Sequence, residues 1–223
     1  MTRTAILVDG GFYRKRSAYL WGYKTAEKRA SELLAYCYAH LQDKDGNEVR
    51  QLYRIFYYDC EPVGRKSVFH PLKKANVDLD KSDTYTWSIE FLEQLKKRRK
   101  LALRLGVLAN QMAYNLKPEI TKKLCLGKIS IADLKEEDFV LSVQQKGVDI
   151  KIGVDIASLA YKHQVDQIIL ISGDSDFVPA AKLARREGID FILDPMWADI
   201  KSDLFEHIDG LKSQWRKKSN SQT

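Results

Sequence analysis

The chain has 223 residues, 44% hydrophobic and 30% charged, enough for one large domain or two small ones with a real core. No apolar run approaches the roughly 20 residues that a membrane-spanning helix needs, so no membrane partner is expected. The 37 Lys and Arg against 30 Asp and Glu leave a net charge of +7, which suits a polyanionic partner as well as a solvated basic surface. The three cysteines, Cys37, Cys60 and Cys125, are too scattered for a disulfide framework, and the four histidines are isolated, so a zinc-type site is excluded. Any metal here would be a hard, oxygen-bound ion such as Mg2+ or Mn2+.

The N-terminus, MTRTAILVDGG, lacks the pattern of a signal peptide, and a cytoplasmic protein is expected. Thr4 to Val8 reads as a buried first strand that ends at Asp9-Gly10-Gly11. An acid followed by two glycines suits close approach of backbone or ligand, and an Asx-turn would use the same residues. Next come Phe12, Tyr13, Arg14, Lys15 and Arg16, aromatics and cations interleaved as a nucleic-acid surface would need. The same residues could equally open a helix. Thr25 to Leu41 keeps a helical period, and Leu52 to Tyr58 reads as a second strand ending in Asp59. Strand, helix and strand with short connections imply a right-handed βαβ unit and a parallel sheet.

Residues 61–137 read as a helical, basic insertion or crossover. Within it Ser88 to Arg98 suits a helix that runs into Lys96-Lys97-Arg98-Arg99-Lys100, the densest charge run of the chain, and Leu101 to Leu108 suits a strand. The basic run is a solvated helix end or a phosphate grip. Phe139 to Val143 reads as a strand. Asp149 can cap a helix to about His163, in which Asp155 sits among apolar neighbours. Gln167 to Lys182, QIILISGDSDFVPAAK, describes a buried strand, a tight loop with Asp174 and Asp176, and a helix that tolerates Pro179 at its start. Gly188 suits the end of that helix, Asp190 to Leu193 a last strand, and Ser202 to Gly210 a final helix capped by Ser202. Arg216 to Thr223 reads as a polar basic tail. The expected division is a single domain over 1–200, then a helix and tail over 201–223.

In open α/β sheets, ligands sit at the carboxyl ends of strands, where Asp9 and the Asp174/Asp176 loop would lie together. Asp149 and Asp155 are six residues apart, about 240° around one helix, so both cannot point inward from a straight helix. Asp155 is expected inward, with Asp149 as a cap or support. These carboxylates could hold one or two Mg2+ or Mn2+ ions for phosphodiester hydrolysis.

The segments ILVDGG at 6–11, KGVDIKIGVDIASLAYK at 146–162 and LISGDSDFVP at 170–179 resemble the NYN domain of LabA-like proteins, a branch of the PIN-like nucleases. The resemblance implies a three-layer α/β/α sandwich on a parallel sheet and an acidic Mg2+/Mn2+ site that cleaves RNA, single-stranded in preference. It implies that Asp9, Asp155, Asp174 and Asp176 are catalytic and metal-binding, with Asp149 a further metal ligand. RNA backbone would then lie on Arg14, Lys15, Arg16 and Lys96 to Lys100. One departure is Phe12, where family members often carry Asn. Two alternatives stand beside the nuclease: an RNA-binding regulator of the same fold that does not cleave, and a phosphotransfer domain of the haloacid-dehalogenase or receiver type. The dehalogenase pattern wants a second Asp at the position of Gly11, which argues against it. A homodimer is compatible with this reading.

Overall fold

In the computed structural model, which describes residues 1–64 and 66–215, the strand expected at the N-terminus is β1 (Thr2–Asp9). It is followed by α1 (Gly10–Trp21), α2 (Ala26–Ala39) and β2 (Arg50–Cys60). A small hairpin of β3 (Ser67–His70) and β4 (Ala75–Asp78) precedes α3 (Asp83–Lys96), β5 (Leu101–Leu116), α4 (Pro118–Cys125) and β6 (Phe139–Lys146). The chain continues through α5 (Val148–Tyr161), β7 (Gln167–Ile171), α6 (Val178–Arg186), β8 (Asp190–Asp194), α7 (Ser202–Glu206) and β9 (Gly210–Leu211).

The main sheet has the order β6-β5-β2-β1-β7-β8-β9. Six of its strands are parallel, and β6 runs antiparallel to β5. β1 is central because its run of Ala5, Ile6, Leu7 and Val8 is apolar on both faces, and all four are fully buried. Alternation sorts the core into two. Ile6, Val8, Ile55, Tyr57, Ile169 and Ile171 point to the side covered by α1, α2 and α3. Ala5, Leu7, Phe56, Tyr58, Ile168 and Leu170 point to the side covered by α5, α6 and α7. The result is a three-layer α/β/α sandwich, as the sequence implied.

Sheet order turns on β1. The chain goes from β1 to β2 and β5 on one side, and from β7 to β8 and β9 on the other. Asp9 pairs in register with Tyr58, and Val8 with Ile171, so the ends of β1, β2 and β7 share one edge. That edge between β1 and β7 is the switch point where ligands bind in this architecture. β5 passes beyond the level of Cys60, its last partner in β2, and pairs with β6 as an antiparallel hairpin that overhangs the same edge. The edge is tied down at β8 by Asp194, a buried acid that accepts from Tyr36 Oη at 2.6 Å, Met196 N at 2.7 Å and Ser213 Oγ at 2.7 Å. His40 Nε2 lies 2.8 Å from it. A buried carboxylate needs such partners, and here they join α2 to the segment after β8.

Of the two readings of Phe12 to Arg16, the helix start holds: they belong to α1, capped by the Asp9 side chain at 3.0 Å from Phe12 N. Other sequence expectations change. Asp149 is not the cap of α5. Gly147 takes that position in a left-handed conformation, and Asp149 sits in the first turn. β6 makes the sheet mixed rather than wholly parallel, and the final helix stops at Glu206 with Lys201 at its cap, not Ser202. The expected basic tail, 216–223, lies outside the described residues.

Gly10 is where α1 meets β2. A Cβ there would lie 2.5 Å from the Tyr57 ring and 2.6 Å from the Tyr58 carbonyl oxygen. The Tyr57 ring is fully buried and its hydroxyl donates to Asp59 Oδ2 at 3.0 Å, so it cannot swing away. Gly10→Ala therefore lowers stability by roughly 2–3 kcal/mol, read as a fall in the urea midpoint at unchanged slope. A loss below about 0.5 kcal/mol would show that α1 is free to lift from β2.

Candidate active site

Asp9 reaches the edge because β1 ends there and α1 begins at once. Its Oδ1 accepts from Phe12 N at 3.0 Å, and its Oδ2 accepts from Ser172 Oγ at 3.3 Å. Ser172 Oγ also accepts from Asp174 N at 3.3 Å, so one hydroxyl links the end of β1 to the loop after β7. Asp174 Oδ1 in turn accepts from Asp176 N at 3.0 Å and opens the 3-10 turn Ser175–Phe177. The loop is held from beneath by Phe12. A Cβ on Gly173 would lie 2.8 Å from its ring, so Gly173 is the only residue type that lets the ring pack so closely.

Burial pushes the Asp9 carboxyl above the ordinary carboxylate range, the Phe12 amide opposes this, and the nearby Asp149 raises it again. Asp149 is pushed up in the same way, first by burial and then by Asp174 and Asp176. Asp9, Asp149, Asp174 and Asp176 thus form one electrostatic group at the switch point, although they come from three elements. This is the condition under which a cation relieves like-charge repulsion.

Asp155 is elsewhere. Its Oδ2 accepts from Tyr58 Oη at 2.8 Å and from Arg104 Nε at 2.9 Å. Burial and Asp155 together raise the Tyr58 hydroxyl well above its usual range, which keeps it a donor. Asp155 lies about 9 Å further along α5 than Asp149, at 1.5 Å per residue, and none of the four grouped acids is among its partners. The structure therefore exchanges the two places expected from sequence: Asp149 faces the other acids and Asp155 pins α5 to β2 and β5.

The cations divide too. Arg14 Nη2 pairs with Asp59 Oδ1 at 3.0 Å, and Asp59 also accepts from Cys60 N at 2.8 Å. Arg16 donates to the Met196 carbonyl at 2.7 Å through Nη2 and so braces the segment after β8. Lys15 is exposed on α1. Lys96, Lys97, Arg98, Arg99 and Lys100 lie between the end of α3 and the start of β5, at the amino edge of the sheet. Lys100 precedes Leu101, which pairs with Ile55 and so stands level with Ile6, three residues or roughly 10 Å short of Asp9 along the strand. Lys100 Nζ donates to the Leu52 carbonyl at 2.5 Å and Arg98 Nη2 to Ser31 Oγ at 3.2 Å. The structure does not bring this run to the acids.

Three contributors were not singled out in the sequence. Ser172 read as a turn residue. Asp59 was visible only as an acid after a strand. Lys201 reaches Ser175 Oγ at 3.2 Å from outside the loop, a contact with no local sequence signal.

Among the described residues, no three carboxylate, imidazole or thiol groups converge closely enough to enclose a metal ion. That geometry does not suit a closed protein cage. A hard ion of the Mg2+ type is held through one or two carboxylates, with water and phosphate oxygens completing the shell. The all-oxygen donors and their crowding fit such an ion.

The NYN domain profile matches residues 73–203, more than half of the chain, and takes in Asp149, Asp155, Asp174 and Asp176 but not Asp9. No curated protein sequence matches the chain. Among solved structures, a protein of unknown function from Vibrio parahaemolyticus aligns at a TM-score of 0.46 and 14% identity, over 94% of this chain and 91% of that one.

The raised carboxyls make a pH prediction. An acid whose folded pKa lies above its unfolded value destabilises the fold once it ionises, so the penalty is absent at low pH and full above the folded pKa. Asp149→Asn removes that penalty. In metal-free buffer its melting temperature exceeds that of the wild type by a degree or more at pH 7, and the gap closes below about pH 4. A gap that stays constant with pH would mean that Asp149 is not crowded by its neighbours.

Proposed function

This chain belongs to the NYN domain family of the PIN-like nuclease superfamily, and we propose that it is a metal-dependent ribonuclease of the LabA-like branch that hydrolyses single-stranded RNA. The observation that carries this reading is the group of four acids at the switch point: Ser172 joins Asp9 to Asp174, Asp174 holds the amide of Asp176, and Asp149 stands near enough to raise the Asp9 carboxyl. Asp9, Asp149, Asp174 and Asp176 are the residues that would hold Mg2+ or Mn2+. A bound ion of this kind polarises a phosphodiester and lowers the pKa of water.

The chain's own groups prepare that corner. The amide of Phe12 and the hydroxyl of Ser172 fix both oxygens of Asp9, leaving its remaining lone pairs turned to the corner. Ser172 keeps Asp174 in step with Asp9 through its second hydrogen bond. Lys201, at Ser175, offers an ammonium beside the acidic loop where a phosphate would enter. Asp155 acts as a positioning residue, because its bonds to Tyr58 and Arg104 set how α5 presents Asp149.

A second reading is a regulator that binds RNA without cutting it. Phe12 favours it, since this ring fills the place where relatives often carry Asn and packs on Gly173 instead of presenting a polar group.

Cleavage of a labelled single-stranded RNA in Mn2+ or Mg2+ tests both. The wild type cleaves, EDTA stops it, and Asp174→Asn and Asp149→Asn each lose ~100-fold or more. Asp155→Asn keeps activity within about tenfold while its melting temperature falls. Equal cleavage by Asp174→Asn and wild type would refute the assigned site. RNA binding without cleavage by the wild type would establish the regulator.

A further inference from the structure

The acids end at Gly11, and a groove begins there. One face of α1 presents Gly11, Arg14, Lys15, Ala18 and Tyr19, with Tyr23 just beyond its end, a stripe at helical spacing that lines an open cavity of about 980 Å3. The opposite wall is the start of α3, with Thr84, Trp87 and Ser88, and the overhanging β5–β6 hairpin closes one end through Leu108 and Val143. A second cavity of about 390 Å3 continues the groove past Tyr23 and Trp87 to Lys24, whose ammonium pairs with Glu32, and Asp83 is the one acid in its lining. A third, of about 460 Å3, opens beside Arg14 and Asp59. Arg14 lines all three.

The lining combines rings and cations. Tyr23 is 97% exposed and Tyr19 is 63% exposed, an unusual state for large aromatic side chains. The Arg16 guanidinium lies 5.1 Å from the Tyr19 ring centre, which keeps that ring beside a positive charge. Trp87 is stacked on Phe91 at 5.0 Å with the planes 9° apart, and its indole N–H donates to the Lys24 carbonyl at 2.9 Å. Its ring is thus held in place before any ligand arrives. Arg14 Nε is buried and has no hydrogen-bond partner among the described residues. α1 is about 18 Å long at 1.5 Å per residue, so the groove has room for several nucleotides leading to the acids.

We infer that this α1–α3 groove is the track for the RNA strand, with Tyr23, Tyr19 and Trp87 as stacking platforms for successive bases and Arg14, Lys15 and Lys24 along its backbone. The inference rests on the ribonuclease reading for the polarity of the track, from Tyr23 toward Asp9. It assigns three aromatic residues that the acidic site does not involve, and it leaves the Lys96–Lys100 run outside. Stacking tolerates every base, so the track binds single strands with little sequence preference.

Binding of a fluorescein-labelled single-stranded RNA oligonucleotide is measured by anisotropy in EDTA, where cleavage is silent. Tyr23→Ala and Tyr19→Ala each weaken binding about tenfold, and Tyr23→Phe restores it because the ring, not the hydroxyl, carries the contact. Tyr161→Ala, an exposed ring on α5, binds as the wild type does. Lys15→Ala reduces the slope of log affinity against log salt by about one, while the tyrosine variants leave the slope unchanged. Wild-type binding by both Tyr23→Ala and Tyr19→Ala overturns the track even if the protein cleaves RNA. Weakened binding in those variants, with no cleavage by the wild type in Mn2+, upholds the track and removes the nuclease. No RNA binding by the wild type overturns both.

Discussion

The parallel pairing of β1 with β2 on one side and β7 on the other is the constraint from which the rest follows. It requires a strand apolar on both faces, and Ala5 to Val8 supply one. It also requires the chain to leave β1 in one direction and return on the other side, which creates the switch point. Register then does the chemistry's placement. Because Val8 is opposite Ile171 and Asp9 opposite Tyr58, the first residues past the core on β1 and β7 are Asp9 and Ser172. A shift of one residue in β1 would turn Asp9 to the other face and move Ala5 and Leu7 into the core that Ile6 and Val8 fill, and the reverse. Fold and site are therefore selected by the same hydrophobic pattern, with each buried Ile or Leu contributing about 1.5–3 kcal/mol.

The acids work against that stability. Burial first, and crowding by neighbouring acids second, raises the carboxyls of Asp9 and Asp149, which means that ionising them strains the fold at neutral pH. The surrounding structure offsets this locally: the start of α1 offers the Phe12 amide, Ser172 offers a hydroxyl, and Asp174 caps a turn. The amide and the hydroxyl favour the charged form of Asp9, yet neither removes the mutual repulsion. The corner is left with negative potential that the fold does not neutralise from within, and the proposed binding of a cation rests on this.

Much of this was legible in the sequence, and the failures share a physical cause. β1, α2, β7 and the acidic loop could be read because each has a clean period or an uninterrupted apolar run. α1 could be read only as one of two alternatives, because its apolar residues Phe12, Tyr13, Tyr19, Leu20 and Trp21 do not keep a helical stripe; Tyr19 serves the groove, while Tyr13 and Leu20 serve the core. The 61–137 stretch read as an insertion or crossover, and it carries α3, which covers one face, and β5, which pairs along six residues of β2. Its β5–β6 hairpin rises past the sheet, so only part of β5 has the burial that marks a strand in sequence. Asp149 and Asp155 were exchanged because helical angle and apolar neighbours were given more weight than axial position. Angle alone allows either to face inward; only the start of α5 lies at the edge where the other acids are.

Net charge was the least informative signal, and the structure explains why. The densest cationic run looked like the natural grip for a polyanion, but it is a helix end and strand start at the amino edge, where Lys100 and Arg98 satisfy the Leu52 carbonyl and Ser31. The cations near the acids are sparse and dispersed along α1: Arg14 compensates Asp59, Arg16 braces Met196, and Lys15 is exposed. A patch of concentrated charge would draw a polyanion and hold it by its backbone alone, at the wrong edge for chemistry. Spaced cations beside held and exposed rings act differently. They attract weakly and depend on bases entering the groove, and this selects a strand whose bases are unpaired. In the proposed reading, the distribution of charge, more than its sum, therefore separates a surface that merely tolerates nucleic acid from one that would deliver it to four carboxylates.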